Sequence, residues 1–282
     1  MKFRLFCLFN IAIIASNCQN DNVAPNAPNT ASAPVNVMQN AVSNPVPLGK
    51  ELIPGSATEV NTNIHSIHVW VDKGNVCLAG VVSNLSAEWY RFWLEATPVD
   101  QSGRSLAFSG HSGVVVIPHS DAVPPSGRTS FFASWPVGNF SAIPNTFTIK
   151  AWAVVQKPGP ILAIPMTSAI QMSVPQQTGQ DLKPEVAWQM TGSLSNPLNM
   201  IAAHPRIEVL VYGMDQKLWF ATVFNPEDMN MRKIFTWDRE GALKPKEERT
   251  FNLQVYSIGM PDSLKEMGIK KIDLLPFDAR IQ

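Results

Sequence analysis

Glu88-Trp89-Tyr90-Arg91-Phe92-Trp93-Leu94-Glu95-Ala96 decides the fold class of this chain. Tyr90, Phe92, Leu94 and Ala96 stand at alternate positions and form one apolar face, which is the period of a half-buried strand rather than of a helix. The same alternation turns Trp89, Arg91, Trp93 and Glu95 to the opposite face. Working outward, residues 76–82, 114–117, 146–155 and 161–172 form further strands, the last three closed off by Pro118, Pro158 and Pro175. Clusters of Gly, Pro, Asn and Ser separate these segments, and the pattern predicts an all-β protein. The best helix is a single turn over residues 261–267, with Asp262 near its start and Gly268 after it.

The two halves of this β region resemble each other. Residues 67–71 (Ile-His-Val-Trp-Val) compare with 207–211 (Ile-Glu-Val-Leu-Val), and residues 78–84, ending in Asn84, with 219–225, ending in Asn225. Arg91 and Arg232 follow these asparagines at equal spacing. Pro125-Ser126-Gly127 leading to Phe131 compares with Pro245-Lys246-Glu247 leading to Phe251, so Phe131, Ala133 and Trp135 match Phe251, Leu253 and Val255. The stretch from Asn84 to Pro125 is about twice that from Asn225 to Pro245, so the second copy is expected to lack one hairpin. Residues 175–181 (Pro-Gln-Gln-Thr-Gly-Gln-Asp) read as the linker between halves, and residues 191–199 as a polar insertion before the second copy.

Ahead of the β region the composition changes. Lys2 and Arg4 precede an apolar run over residues 5–15 that is too short to span a bilayer, and Ala15-Ser16-Asn17-Cys18 follows. This arrangement resembles the lipobox of bacterial lipoproteins, although Leu is preferred where Ala15 stands and Gly or Ala where Asn17 stands. The resemblance implies a signal peptide over residues 1–17, cleavage before Cys18 and lipid attachment to that cysteine. The alternative is an ordinary secretory signal. Residues 19–49 carry one charge, Asp21, and the first aromatic after the signal is Trp70, so residues 18–61 are expected to form a disordered tether. A flexible chain of that length has a root-mean-square span of roughly 35 Å and reaches about 130 Å at full stretch.

Composition narrows the function classes. Lys+Arg and Asp+Glu both total 22, and no basic run exists, which argues against a nucleic-acid surface. Cys7 leaves with the signal and Cys18 carries lipid, so only Cys77 remains and the mature chain has no partner for an intrachain disulfide. Within the apolar residues 76–82, Cys77 reads as a buried structural thiol.

The order Gly80-Val81-Val82-Ser83-Asn84-Leu85-Ser86, a strand, Asp100-Gln101-Ser102-Gly103, a hairpin, then Pro125-Ser126-Gly127 and Phe131 resembles the FxLYD-type immunoglobulin-like domain of bacterial envelope proteins. It covers about residues 64–175. The family's Leu-Tyr-Asp is here Thr97-Pro98-Val99-Asp100, which keeps the Asp and the following Gly103. The resemblance implies small β-sandwiches attached to a membrane, and its motifs specify turns and core positions rather than chemistry. The second half keeps Asn225, Asp238, Gly241, Pro245 and Phe251.

Catalytic signatures are weak. His65 and His68 lie on a strand pointing to opposite faces, where they cannot share a metal. His111 and His119, with Asp121, flank residues 114–117 and read as exposed loop residues. Gly110-His111-Ser112-Gly113 differs from a nucleophile elbow because a strand follows it, where the elbow needs a helix. An enzyme built from His111, Ser112, His119 and Asp121 is the remote third reading. Glu247-Glu248 reads as solvated surface. The outward stripe Trp89, Arg91, Trp93 and Glu95 is the better lead: it docks a protein partner, stacks on sugar rings, or is covered by the second domain or a loop.

The chain is therefore expected to be all-β, with two tandem immunoglobulin-like β-sandwich modules after a disordered tether. The first spans residues 62–175, a linker residues 176–184, and a shorter or incomplete second module residues 185–282. The expected role is a lipid-anchored cell-envelope protein that binds or scaffolds protein partners without catalysis. The alternative is a carbohydrate- or peptidoglycan-binding lipoprotein. Neither cofactor nor metal is expected. In lipoproteins of this kind an Asp after the lipidated cysteine favours the inner membrane; Gln19 stands there, pointing to the outer membrane and the periplasm, with surface exposure as the alternative.

Overall fold

A computed structural model describes residues 45–165, 167–178, 181–224, 242–256 and 260–279. The signal peptide, Cys18 and residues 19–44 of the expected tether lie outside the described residues, as do Asn225, Arg232, Asp238 and Gly241. The described chain is all-β, built as two β-sandwiches in tandem.

The first sandwich comprises β1 (Thr58–Glu59), β2 (Asn63–Asp72), β3 (Asn75–Ser83), β4 (Trp89–Val99), β5 (Val114–Val116), β6 (Arg128–Pro136) and β7 (Thr146–Gln156). They form two sheets, β2-β3-β6 and β1-β7-β4-β5, antiparallel throughout. Between the sheets lies a core of Leu78, Phe92, Leu94, Ala96, Phe131 and Phe147, each at most 4% exposed, with Tyr90 packed against it. The inward face expected for residues 88–96 is the one observed.

The second sandwich comprises β8 (Thr167–Thr178), β9 (Asp181–Ser195), β10 (Pro205–Gly213), β11 (Leu218–Phe224), β12 (Glu248–Tyr256) and β13 (Ile269–Asp278). Its sheets are β8-β9-β12 and β13-β10-β11. A single-turn helix, α1 (Asp262–Met267), stands where the sequence placed one, and Gly268 ends it at φ 89, in the left-handed region that glycine enters without steric cost.

These sheets correct the internal repeat. Order and pairing match β2-β3-β6 with β8-β9-β12, and β7-β4-β5 with β13-β10-β11. Residues 67–71 and 207–211 are therefore not equivalent, since β2 is an edge strand and β10 a central one. The expected missing hairpin is present as β10–β11, the counterpart of β4–β5. Equivalence is carried by hydrogen bonding rather than apolar pattern. Asn84 Nδ2 lies 2.7 Å from the Glu88 carbonyl, 3.0 Å from that of Val123 and 3.1 Å from that of Pro124. Asn196 Nδ2 lies 2.6 Å from the Met200 carbonyl, 3.1 Å from that of Leu243 and 3.2 Å from that of Lys244. Each Oδ1 accepts a backbone N–H two residues on, from Ser86 and from Leu198. The backbone of Asn84 brackets Ser126 and Gly127, and that of Asn196 brackets Lys246 and Glu247. Ser126 and Lys246 both sit at φ 60. Gly80 faces Phe131 across β3–β6, and Gly192 faces Phe251 across β9–β12. The segment read as a polar insertion, residues 191–199, thus contains the second copy of residues 80–86, at residues 192–198. The partner of Asn84 is Asn196, not Asn225.

Residues 176–184 are not a linker. Residues 176–178 and 181–184 belong to the paired strands β8 and β9, where Pro175 lies opposite Pro184 and Thr178 opposite Asp181. β12 pairs with β9 only over residues 187–195, so both prolines stand in a two-stranded ribbon whose outer edges need no donor. The passage between sandwiches is made by residues after Gln156 and before Thr167.

The sandwiches share a core. Trp70, Cys77, Ala79 and Val81, on the outer face of β2-β3-β6, pack in one cluster with Leu210, Leu218, Trp219 and Ala221 of the second sandwich. β3 is consequently buried on both faces from Val76 to Val82, which explains why it reads as an unbroken apolar run. Cys77 is 5% exposed there, and burial raises its pKa. Residues 44–282 form one compact unit.

Candidate functional site

β4 carries the stripe singled out from sequence, and β7 completes it. Trp93 lies opposite Trp152, Glu95 opposite Lys150, and Arg91 opposite Val154. The Arg91 guanidinium stands 5.0 Å over the Trp93 ring. Glu95 Oε2 accepts hydrogen bonds from Trp152 Nε1 at 3.0 Å and from Lys50 Nζ at 2.6 Å, and the same ammonium lies 3.8 Å over the Trp152 ring. The result is two cation–indole pairs along one sheet face, Arg91 on Trp93 and Lys50 on Trp152, each pair contributing roughly 0.5–1 kcal/mol.

Lys50 comes from a segment expected to be tether. Residues 45–61 are instead built into the first sandwich. Leu48 donates to the Gly113 carbonyl at 2.8 Å and accepts from Val115 N at 3.0 Å, adding a parallel rung to the edge of β5. The chain then makes a 3-10 turn at Lys50–Leu52 and joins the opposite edge of the sheet as β1, paired with β7. This strap crosses the sheet's outer face. Its backbone bonds supply what its weakly apolar composition cannot, because they satisfy sheet edges that would otherwise be open.

The strap changes the accessible part of the stripe. Trp93 is only 5% exposed, so it is not the open contact residue that strand alternation suggested. Trp152, Arg91 and Glu95 remain half-buried, and Val46, Leu48 and Leu52 present apolar side chains on the strap itself, 60%, 41% and 53% exposed. Trp89, also half-buried, lines a shallow cleft between the sandwiches with Pro160, Ile161, Pro276 and Phe277. The structure therefore brings Arg91, Trp93 and Glu95 together with Trp152 and Lys50, and aims Trp89 elsewhere. Trp152 was within reach of the sequence: Phe147, Ile149, Ala151 and Ala153 alternate inward, which turns Lys150 and Trp152 outward.

The histidines are held separately. His111 Nδ1 is 3.2 Å from the Val46 carbonyl, and His119 Nδ1 is 2.9 Å from Ser130 Oγ. His119 is half-buried rather than a free loop residue, and burial lowers its pKa to about 4. A bulge after His65 breaks the strand, with Ser66 at φ 54. His65 then bonds Ser83 Oγ, while His68 is buried, stacked on Trp70 at 4.8 Å and edge-on to Trp219 at 4.3 Å. Its Nδ1 donates to the Leu218 carbonyl, and burial lowers its pKa. Among the described residues no group of three or more His, Cys, Asp or Glu is placed to hold a metal. No described helix is long and apolar enough to cross a membrane.

The Asp100 turn has the geometry its motif requires. Asp100 accepts from Ser102 and Arg104, which hold its carboxyl at about 2, and Gly103 takes φ 79.

No protein-family model matches the chain, and no curated protein matches it. Among solved structures, 79% of the chain is similar to 30% of the red sea bream transglutaminase, at 13% identity and a TM-score of 0.22. A structure described as a beta-galactosidase from Bacteroides fragilis is similar over 75% of this chain and 33% of its own length, at 10% identity and a TM-score of 0.19. The chain spans about a third of the length of each.

Proposed function

We propose that this chain is a lipid-anchored cell-envelope protein that binds or scaffolds a protein partner without catalysing a reaction. The reading rests on the lipobox-like Ala15-Ser16-Asn17-Cys18 and on the Asn-, Pro- and Ala-rich, nearly uncharged composition of residues 19–44 that follow it. The observation that carries the binding role is the outer face of β1-β7-β4-β5, where Arg91, Trp152, Lys50 and Glu95 stand beside the exposed strap residues Val46, Leu48 and Leu52. An apolar centre with tryptophan and arginine, rimmed by charges, is the composition of a protein-docking surface. Carriage on a body whose sandwiches share a core presents that surface rigidly. FxLYD-type membership, outer-membrane anchoring and a periplasmic orientation belong to the same proposal.

Affinity purification of the intact tagged chain from mildly solubilised envelopes, with mass spectrometry of the eluate, tests it. The expected result is an acylated Cys18 and a stoichiometric protein partner, with recovery reduced at least about tenfold by Trp152→Ala, since central aromatic anchors contribute 2 kcal/mol or more. Thermal unfolding of the variant separates lost contact from lost fold. Co-eluting glycan without protein would replace this reading with carbohydrate binding. An unmodified Cys18 would remove the anchor, and unaltered capture by a folded Trp152→Ala chain would remove the surface.

A further inference from the structure

Glu208 stands on β10 where the second sandwich meets the edge strand β6 of the first, and it is 1% exposed. Its Oε1 accepts from Thr129 Oγ1 at 2.7 Å, and its Oε2 from the Ser130 backbone N–H at 2.7 Å and Ser130 Oγ at 2.6 Å. All three donors are neutral and belong to the other sandwich. A carboxylate out of water with only neutral donors is strongly disfavoured. Burial lifts this carboxyl to about 7, with the three hydrogen bonds and the nearby Arg128 acting in the opposite direction.

The surrounding groups satisfy either protonation state. With the carboxylate charged, both hydroxyls and the amide donate to it. With the acid neutral, Oε1–H donates to Thr129 Oγ1, and Thr129 turns its hydrogen to the Ser130 carbonyl, 3.4 Å away. Thr129 Oγ1 accepts from Ser120 N in both cases. Ser130 Oγ–H and N–H reach Oε2 throughout, so His119 Nδ1, at 2.9 Å from Ser130 Oγ, is the donor in that contact.

The charged and titratable groups around Glu208 are few. β6 supplies Arg128, which pairs at 3.8 Å with Asp273 of β13. The loop before β6 supplies His119, with Asp121 two residues on. β2 supplies His65, whose pKa is lowered by burial and, secondarily, by Arg128. Across the ladders Glu208 faces Val223 of β11 and Leu275 of β13, both apolar.

We propose that Glu208 is a proton-operated clasp between the sandwiches, closed as the carboxylic acid and loosened as the carboxylate. Deprotonation of the docked acid breaks the carboxyl O–H bond and leaves a buried charge on the same three neutral donors, whose cost out of water weakens docking. The proton leaves to a solvent base, the electron pair stays on Glu208, and the Thr129 hydroxyl rotates from the Ser130 carbonyl to Oε1. Because the docked carboxyl titrates near 7 and an exposed one near 4.5, its contribution to docking is fully present below about pH 4.5 and is lost as pH rises through about 7. His119 acts with opposite sign. Its contribution is present above about pH 6.5 and is lost as pH falls through about 4. A comparison between variants separates the two.

The test is hydrogen exchange at the Ser130 amide in the full chain, corrected for intrinsic exchange, between pH 5 and 8. In Glu208→Gln the side-chain amide donates to Thr129 Oγ1 and its carbonyl accepts from Ser130, so the clasp is held in its neutral form. The ratio of wild-type to Glu208→Gln opening is expected to rise on the order of fiftyfold across that range. A ratio constant within about twofold would overturn the proposal. His119→Asn keeps a donor to Ser130 and removes the opposing titration. In that variant opening should grow with pH by a similar factor, and a flat profile would overturn the proposal even where Glu208→Gln does not fold.

Discussion

Gly80→Ala is expected to destabilise the chain by about 3 kcal/mol, the upper part of the range for overpacking a rigid core. A Cβ built on Gly80 falls 2.3 Å from Cζ of Phe131 and 2.8 Å from its Cε1, so the tip of the ring fills the space a methyl would need. Phe131 is fully buried in the first sandwich core and has no open space to move into. Cross-strand pairing places the two residues directly opposite each other, so the clash cannot be relieved by local bending. Chemical denaturation of wild type and variant measures the loss. The double variant Gly80→Ala with Phe131→Leu then tests its cause: the shorter side chain should make the pair less destabilising than the sum of the single changes. Strict additivity would show that the Phe131 ring is not what excludes the methyl.

Asn84→Asp should cost still more near neutral pH, on the order of 3–5 kcal/mol. The substitution replaces a donor facing three carbonyl oxygens with an acceptor, at a site 1% exposed. A carboxylate there meets only the dipoles' negative ends, apart from the Ser86 N–H at its other oxygen. Protonation restores one donor, so the variant should regain stability as pH falls, opposite in direction to the acid loss usual for carboxylates. Thermal melts at pH 5 and pH 8 check the sign, with a higher Tm expected at pH 5 relative to wild type. Asn196→Asp, in the matching turn of the second sandwich, should behave alike, which tests the corrected repeat directly. A benign Asn196→Asp would separate the two turns despite their shared hydrogen bonds.

The sequence by itself determined the local features. Period-two alternation identified β4 and its inward face, because one side of a strand packed in a sandwich must be apolar. Asp262 and Gly268 marked the helical turn, and the continuous apolar run marked Cys77 as buried. The spacing from Pro125 to Phe131 and from Pro245 to Phe251 located one true repeat. Gly192-Ser193-Leu194-Ser195-Asn196 stood equally open to reading beside Gly80-Val81-Val82-Ser83-Asn84, yet apolar similarity drew the comparison to residues 219–225 instead.

Only tertiary structure decided which edges pair and which faces are covered. The prolines and glutamines of residues 175–184 look like a linker until their ladder partners are known. Trp93 looks like a contact residue until its 5% exposure beneath the Arg91 guanidinium is known, and Glu208 gains its three donors only where β6 of the other sandwich meets β10. Alternation along a strand is set by bonds to neighbouring residues and can be read locally. What lies against each face is set by segments as far apart as Thr129 and Glu208, whose meeting depends on how both sandwiches dock.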